Sequence, residues 1–195
     1  MALCPPPTFI WFATVKYGKK MAEAAALTLL ESGIKPTKLV VSPLLRTQQS
    51  AEPIAKIFDA VPDLDERIIE PYNMFEGRKV SAKTVLLRPH LVFHLRNPMQ
   101  PSWGESYVSV VERMMKAMKD AAESVKDGEV VMVTHQLPIW MVHRHLVGAR
   151  LAHNPSKRRC SLSSITSFEY AEGKFREVAY REPAADLARI DKGAV

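Results

Sequence analysis

A short apolar run, Glu129 to Thr134, passes straight into His135-Gln136-Leu137-Pro138 and a helix-period stretch from Leu137 to Val147 that Gly148 ends. The same succession occurs earlier. Leu39-Val40-Val41 leads through Ser42-Pro43-Leu44-Leu45-Arg46 into a stretch from Thr47 to Phe58 with Ala51, Ile54, Ala55 and Phe58 at helical spacing. Strands that read as continuous apolar runs are buried on both faces, and the helices that follow them are the natural cover, so this alternation favours a largely parallel sheet between helical layers. Ligands of such sheets sit beyond the carboxyl ends of the strands, where Arg46 and His135 both fall.

The remaining segments extend the pattern. Gly18 to Ser32 reads as a helix with Met21, Ala25 and Leu29 on one stripe and Gly33 as its stop. Pro53 fits the second helix only in its first turns or as a bend. Arg67-Ile68-Ile69-Glu70 is expected as a brief strand. Residues 72–103 show no clean period, are interrupted by Pro89, Pro98 and Pro101, and read as an inserted lid mixing short helices and loop. Ser106 to Val125 carries the clearest helical stripe, with Val110, Val111, Met114, Met118 and Ala121 as core. Ser164 to Tyr170 and Phe175 to Tyr180 form a hairpin through Ala171-Glu172-Gly173-Lys174. Phe9 to Val15 has strand composition but follows Pro5-Pro6-Pro7, and is open to a second reading as an untethered tail. The fold expected is α/β: three-layer α/β/α with a mostly parallel mixed sheet and an antiparallel strand. It forms one domain over 1–195, with an atypical segment at 1–17 and a tail at 188–195.

Composition narrows the function classes. At 195 residues, 47% hydrophobic and 25% charged, the chain suits one well-cored domain. Its longest apolar runs fall well short of the roughly 20 residues that a membrane span needs. With no charged n-region after Met1, the expectation is a cytoplasmic protein with no membrane partner. Cys4 and Cys160 are too few for a disulfide framework or a cysteine metal site, so free thiols, no metal and no cofactor are expected. The net charge of +6 is scattered, with Lys157-Arg158-Arg159 the one basic run, and no nucleic-acid partner is expected.

The residues at the strand ends have a chemistry in common. A helix N-terminus offers unpaired N–H groups, the Arg46 guanidinium is a planar fork matching phosphate oxygens, and His135 can add a hydrogen bond or charge. Glu70, at the end of a third expected strand, could protonate a leaving alkoxide. Taken alone, each has an ordinary structural reading: a hydrogen-bonded histidine, a surface arginine, a solvated carboxylate.

In series the motifs resemble the histidine phosphatase superfamily, in its phosphoglycerate mutase-like branch. Ser42-Pro43-Leu44-Leu45-Arg46-Thr47 with Ala51-Glu52-Pro53 is similar to that family's second arginine motif. Glu70 with Phe75-Glu76-Gly77 resembles its acid segment, Gly104-Glu105-Ser106 its helix entry, and Val131-Met132-Val133-Thr134-His135 its second histidine motif. The resemblance spans residues 18 to 187. It implies a metal-free transfer from a small phosphorylated molecule through a phosphohistidine, with Arg46 and His135 binding phosphate and Glu70 as proton donor. Phosphatase ancestry is favoured over mutase, because a mutase must keep its intermediate from water.

The implied nucleophile, a histidine in an Arg-His-Gly motif on the first strand, has no counterpart; Phe9 to Tyr17 stand there instead. The expectation is therefore an impaired enzyme. Three origins are open: a damaged or wrongly started reading frame before Gly18, a non-catalytic phosphate-binding or scaffold member, or another histidine acting in its place. His90, His94, His143, His145 and His153 are the alternatives.

Overall fold

Three parallel strands form the sheet that positions everything else: Pro36–Val41 (β1) lies at its centre, flanked by Pro62–Leu64 (β2) and Glu129–Val133 (β3). The computed structural model describes residues 18–71, 104–126, 128–154 and 157–190. The strand expected at Phe9–Val15 and the lid at 72–103 lie outside them. Val41 stands opposite Leu64 on one side and Val133 on the other, which brings the carboxyl ends of β1 and β3 level.

Alternation of side chains across the sheet separates two cores. Leu39, Val41, Val131 and Val133 pack with the helices Gly18–Glu31 (α1) and Leu45–Phe58 (α2) through Ala25, Leu29, Ala51 and Ile54. Val40, Val130 and Met132 face the helices Tyr107–Glu123 (α3) and Gln136–Leu146 (α4) through Val110, Met114, Met118 and Met141. Apolar strands covered on both faces are the three-layer α/β/α arrangement that the sequence predicts. Met114 and Met118 of α3 are fully buried filling of this core. No helix among the described residues is long and apolar enough to cross a membrane.

Ile165–Ala171 (β4) and Lys174–Arg181 (β5) form an antiparallel ladder of their own, anchored to the core by Phe168 and Ile165. Glu172 and Gly173 both have positive φ, the combination that a two-residue hairpin of matching twist requires. A last helix, Ala185–Ile190 (α5), follows.

One local expectation is corrected. The third strand is Pro62–Leu64, and Arg67–Glu70 is no strand: Glu66–Ile68 is a 3-10 turn. The Asp65 carboxylate accepts from the Arg67 amide at 2.8 Å, and such a local bond competes with extended backbone. Pro53 lies in the middle of α2, beyond its first turns, where the helix forgoes one backbone hydrogen bond.

Gly128, at φ +131°, enters β3 so close to β1 that an added Cβ would sit 1.9 Å from the Thr37 hydroxyl oxygen. Gly148 also has positive φ, but nothing lies within 4 Å of its Cβ position. Gly128→Ala is expected to cost about 2–3 kcal/mol in urea unfolding and Gly148→Ala about 1 kcal/mol, since only the first adds a clash to the backbone strain. Equal losses would show that the approach of Gly128 to Thr37 is unimportant.

Candidate functional site

Because β1 and β3 run side by side in the same direction, the turns that leave them meet at one edge of the sheet. The Ser42 amide continues the ladder by donating to the Val133 carbonyl at 2.9 Å. Two residues past Val133, beyond the end of β3, His135 therefore lands against Ser42, with its Nε2 2.8 Å from the Ser42 hydroxyl. Arg46, in the first turn of α2, donates from Nε toward His135 Nδ1 at 3.4 Å. Thr47 secures this turn by donating to the Leu44 and Ser42 carbonyls at 2.6 and 3.0 Å. Glu70 completes the group, with Oε2 3.7 Å from His135 Nδ1. Arg46, Glu70 and His135, singled out separately in the sequence, are thus neighbours.

The backbone leading to Glu70 is held from two sides. Thr134 donates its hydroxyl hydrogen to the Ile68 carbonyl, tying the 3-10 turn to the end of β3. From α3, Arg113 Nη1 donates to the Arg67 carbonyl at 2.5 Å. The same guanidinium forks onto Glu105, with Nε and Nη2 each 2.8 Å from a carboxylate oxygen. Ser109 adds a third donor to Glu105 at 2.7 Å, and Ser106 caps the helix by accepting from the Ser109 amide. Burial alone would raise the Glu105 carboxyl, but hydrogen bonds from Arg113 and Ser109, with the Arg113 charge, hold it below its ordinary value. Gly104-Glu105-Ser106 is accordingly a positioning element: it fixes Arg113, which fixes the segment bearing Glu70.

Three members of this arrangement went unrecognised in the sequence. Ser42 and Thr134 lie inside motifs that assign them no role, and Arg113 lies on a helix whose pattern reads as a core stripe. Nothing local marks Arg113, because its partners are Glu105 eight residues away and a carbonyl 46 residues away.

His135 is 2% exposed, and burial, with the charges of Arg46 and Arg113, pushes its pKa down to about 3. The ring is therefore neutral near pH 7. Arg46 Nε can only donate, so Nδ1 is the acceptor and the ring hydrogen is on Nε2, facing Ser42. The contact with Glu70 is then a close approach and not an ion pair.

A folded-state value below the unfolded 6.5 means that the neutral ring's contribution is complete above about pH 6.5 and is lost progressively as pH falls toward 3. The stability difference between the protein and His135→Gln is expected to narrow on acidification by up to about 1.4 kcal/mol per pH unit. Urea unfolding at pH 7 and 4.5 checks this, and an unchanged difference would contradict it.

The other histidines have different partners. His143 Nδ1 lies 2.5 Å from Glu177 Oε2 and its ring stacks on Trp140 at 4.9 Å, while His153 receives a hydrogen bond from Arg158. His145 is exposed, and His90 and His94 lie outside the described residues, as do Phe75-Glu76-Gly77. Among the described residues no group of three or more acidic, histidine or cysteine side chains could hold a metal ion.

Comparison with known proteins adds ancestry to this geometry. The sequence profile of the histidine phosphatase superfamily (branch 1) matches residues 15–183. An uncharacterised protein of Mycobacterium tuberculosis, Rv0525, is 41% identical over 169 residues, covering 86% of this chain and 83% of that protein. Among solved structures, the mycobacterial glucosyl-3-phosphoglycerate phosphatase Rv2419c, in complex with VO3, has a TM-score of 0.69 at 20% identity, covering 90% of this chain and 98% of its own. Bacillus stearothermophilus YhfR gives 0.71 at 17% identity, covering 89% and 96%. At these identities the structural likeness establishes a shared fold.

Proposed function

The chain belongs to the histidine phosphatase superfamily, branch 1, and on that premise we propose that the cluster around His135 is a pocket for a phosphomonoester. Its ancestral activity is phosphomonoester hydrolysis through a phosphohistidine, and it is impaired in this chain because no Arg-His-Gly motif is present. The observation that carries the reading is the meeting of Arg46, His135 and Glu70 at one sheet edge, 3.4 and 3.7 Å apart through the imidazole.

Each residue has a task in that chemistry. Arg46 offers its fork to the phosphoryl oxygens, and the first turns of α2 and α4 add the positive ends of two helices. A dianion beside His135 opposes the effects that lower its pKa, so that an imidazole neutral in the free protein gains a second donor as phosphate arrives. Glu70 gives its proton to the ester oxygen as the phosphorus–oxygen bond breaks. In the ancestral reaction a histidine nitrogen takes the phosphoryl group, and water then breaks the phosphorus–nitrogen bond. Without that nucleophile the first bond is not made, while the groups that bind phosphate are retained.

A second reading, a non-catalytic domain that binds phosphorylated ligands or acts as a scaffold, draws on the same missing motif. One experiment addresses both. Phosphate release from p-nitrophenyl phosphate is measured between about pH 5 and 8, the range in which histidine ordinarily titrates, beside thermal melting in phosphate or vanadate. No turnover is expected, with a rise of a few degrees in Tm as the anion saturates the folded state. Turnover above background would overturn the impairment, and an unmoved Tm would overturn the pocket.

A further inference from the structure

The hydroxyl that meets His135 is placed by its own backbone. Ser42 is the first residue past β1 and is wholly buried. Pro43 behind it confines Ser42 to extended backbone, its amide donates to the Val133 carbonyl at 2.9 Å, and its carbonyl accepts from the Thr47 hydroxyl at 3.0 Å. The side chain has no part in capping α2, whose N-cap is Leu44 without a side-chain bond. Among the described residues the Ser42 hydroxyl has one partner, Nε2 of His135 at 2.8 Å. A hydroxyl costs free energy to bury unless it is hydrogen-bonded, and here the imidazole supplies that bond.

The ring of His135 has an inner and an outer nitrogen. Nε2 faces Ser42, while Arg46 Nε at 3.4 Å and Glu70 Oε2 at 3.7 Å both approach Nδ1. A serine hydroxyl accepts or donates, but Arg46 only donates, so in the free protein Nδ1 carries the lone pair and Nε2–H goes to Ser42. The charged groups acting on the ring are Arg46 on α2, Arg113 on α3 and Glu70, and the two cations, with burial, hold it neutral. A phosphate dianion draws the Arg46 fork off Nδ1 and brings two negative charges against the same nitrogen, which reverses that balance.

We propose that Ser42 is a positioning residue for His135: it accepts Nε2–H before and after an anion binds, and so directs the proton taken up with a phosphate dianion to Nδ1. The role rests on the phosphomonoester reading above. The proton comes from solvent and bonds to the lone pair that Arg46 has vacated, and no bond of the phosphate changes. The imidazolium then donates Nδ1–H to a phosphoryl oxygen and Nε2–H to Ser42. Without the Ser42 oxygen, one of these two N–H groups is buried with no acceptor. The neutral ring escapes that penalty by carrying its hydrogen on Nδ1 and leaving Nε2 bare. Ser42 therefore acts on the anion through the imidazole and not by touching it.

The test reads the ring hydrogens directly. Imidazole nitrogen NMR is recorded on the full ¹⁵N-labelled chain near neutral pH, free and saturated with inorganic phosphate, with His135→Gln identifying the His135 signals; calorimetry gives the affinities. In the free protein the hydrogen is expected on Nε2 alone, and with phosphate on both nitrogens. In Ser42→Ala the free ring should carry its hydrogen on Nδ1, phosphate should add no second hydrogen, and affinity should fall about tenfold, the scale of one hydrogen bond to a charged group. If Ser42→Ala does not fold, Ser42→Cys, close to serine in size and a weak acceptor, takes its place and should show the same changes in smaller measure. A free ring with its hydrogen on Nδ1, or a phosphate-bound ring with a single hydrogen, overturns the role of Ser42 and leaves the phosphate pocket standing. So does a variant that keeps the parent's pattern of ring hydrogens, whether or not its affinity falls. No binding of phosphate to the parent overturns the pocket and this role together.

Discussion

Arg46→Ala should weaken the binding of phosphate or vanadate by about 10²–10³-fold, the loss expected when two charge-assisted hydrogen bonds from one guanidinium disappear together. Arg46 stands at the start of α2 with Nε turned toward His135, so the same fork can move from the imidazole to an entering anion without leaving its place. The substitution also removes one of the charges that depress His135, and the ring of the variant should titrate at higher pH than in the parent. Arg46→Lys separates the contributions: an ammonium keeps the attraction and loses the planar match, so its affinity should lie between the two. Calorimetric titration with phosphate measures the loss, and a change of less than about threefold in Arg46→Ala would remove Arg46 from the pocket.

Arg113→Met is expected to cost about 3 kcal/mol in unfolding free energy, since it strips the fork from a carboxylate that is only 26% exposed and the donor from the Arg67 carbonyl. The cost should be lower when Glu105→Leu accompanies it, because a half-buried carboxylate without its partner is worse than no charge at all. Phosphate binding should suffer as well in Arg113→Met, because the segment bearing Glu70 loses one of its two anchors. Thr134→Val, which removes the other anchor, should act in the same direction. Urea unfolding of the two single variants and the double variant checks the stability claim. A loss below about 1 kcal/mol in Arg113→Met would show that the clamp is only a surface pair.

How much of this was legible in the chain follows from the range of each interaction. Helix periodicity is local, and α1, α2, α3 and α4 lie where their stripes of Ala, Leu, Ile and Met place them. Gly33 and Gly148, both at positive φ, close α1 and α4 as expected. The hairpin at Glu172-Gly173 depends on four consecutive residues and was equally readable. The third strand was misplaced for a reason that is also local but easily missed. Arg67-Ile68-Ile69-Glu70 has strand composition, yet one short bond from Asp65 turns it into a 3-10 turn, and Pro62–Leu64 pairs with β1 although none of its three residues is buried.

The site divides along the same line. The sequence by itself determined that Arg46 and His135 each stand one turn past the end of an apolar strand, because strand, turn and helix are encoded within a dozen residues. It also determined that no Arg-His-Gly motif is present. Only the tertiary structure decided that these ends adjoin, through the pairing of β1 with β3, which sets Ser42 against His135 across 93 residues of chain. The same holds for the Glu105–Arg113 clamp on the Arg67 carbonyl and for Arg158 on His153. Their partners are a backbone carbonyl, a fork angle or a ring tautomer, none of which leaves a periodic trace, and they exist only after the layers have packed.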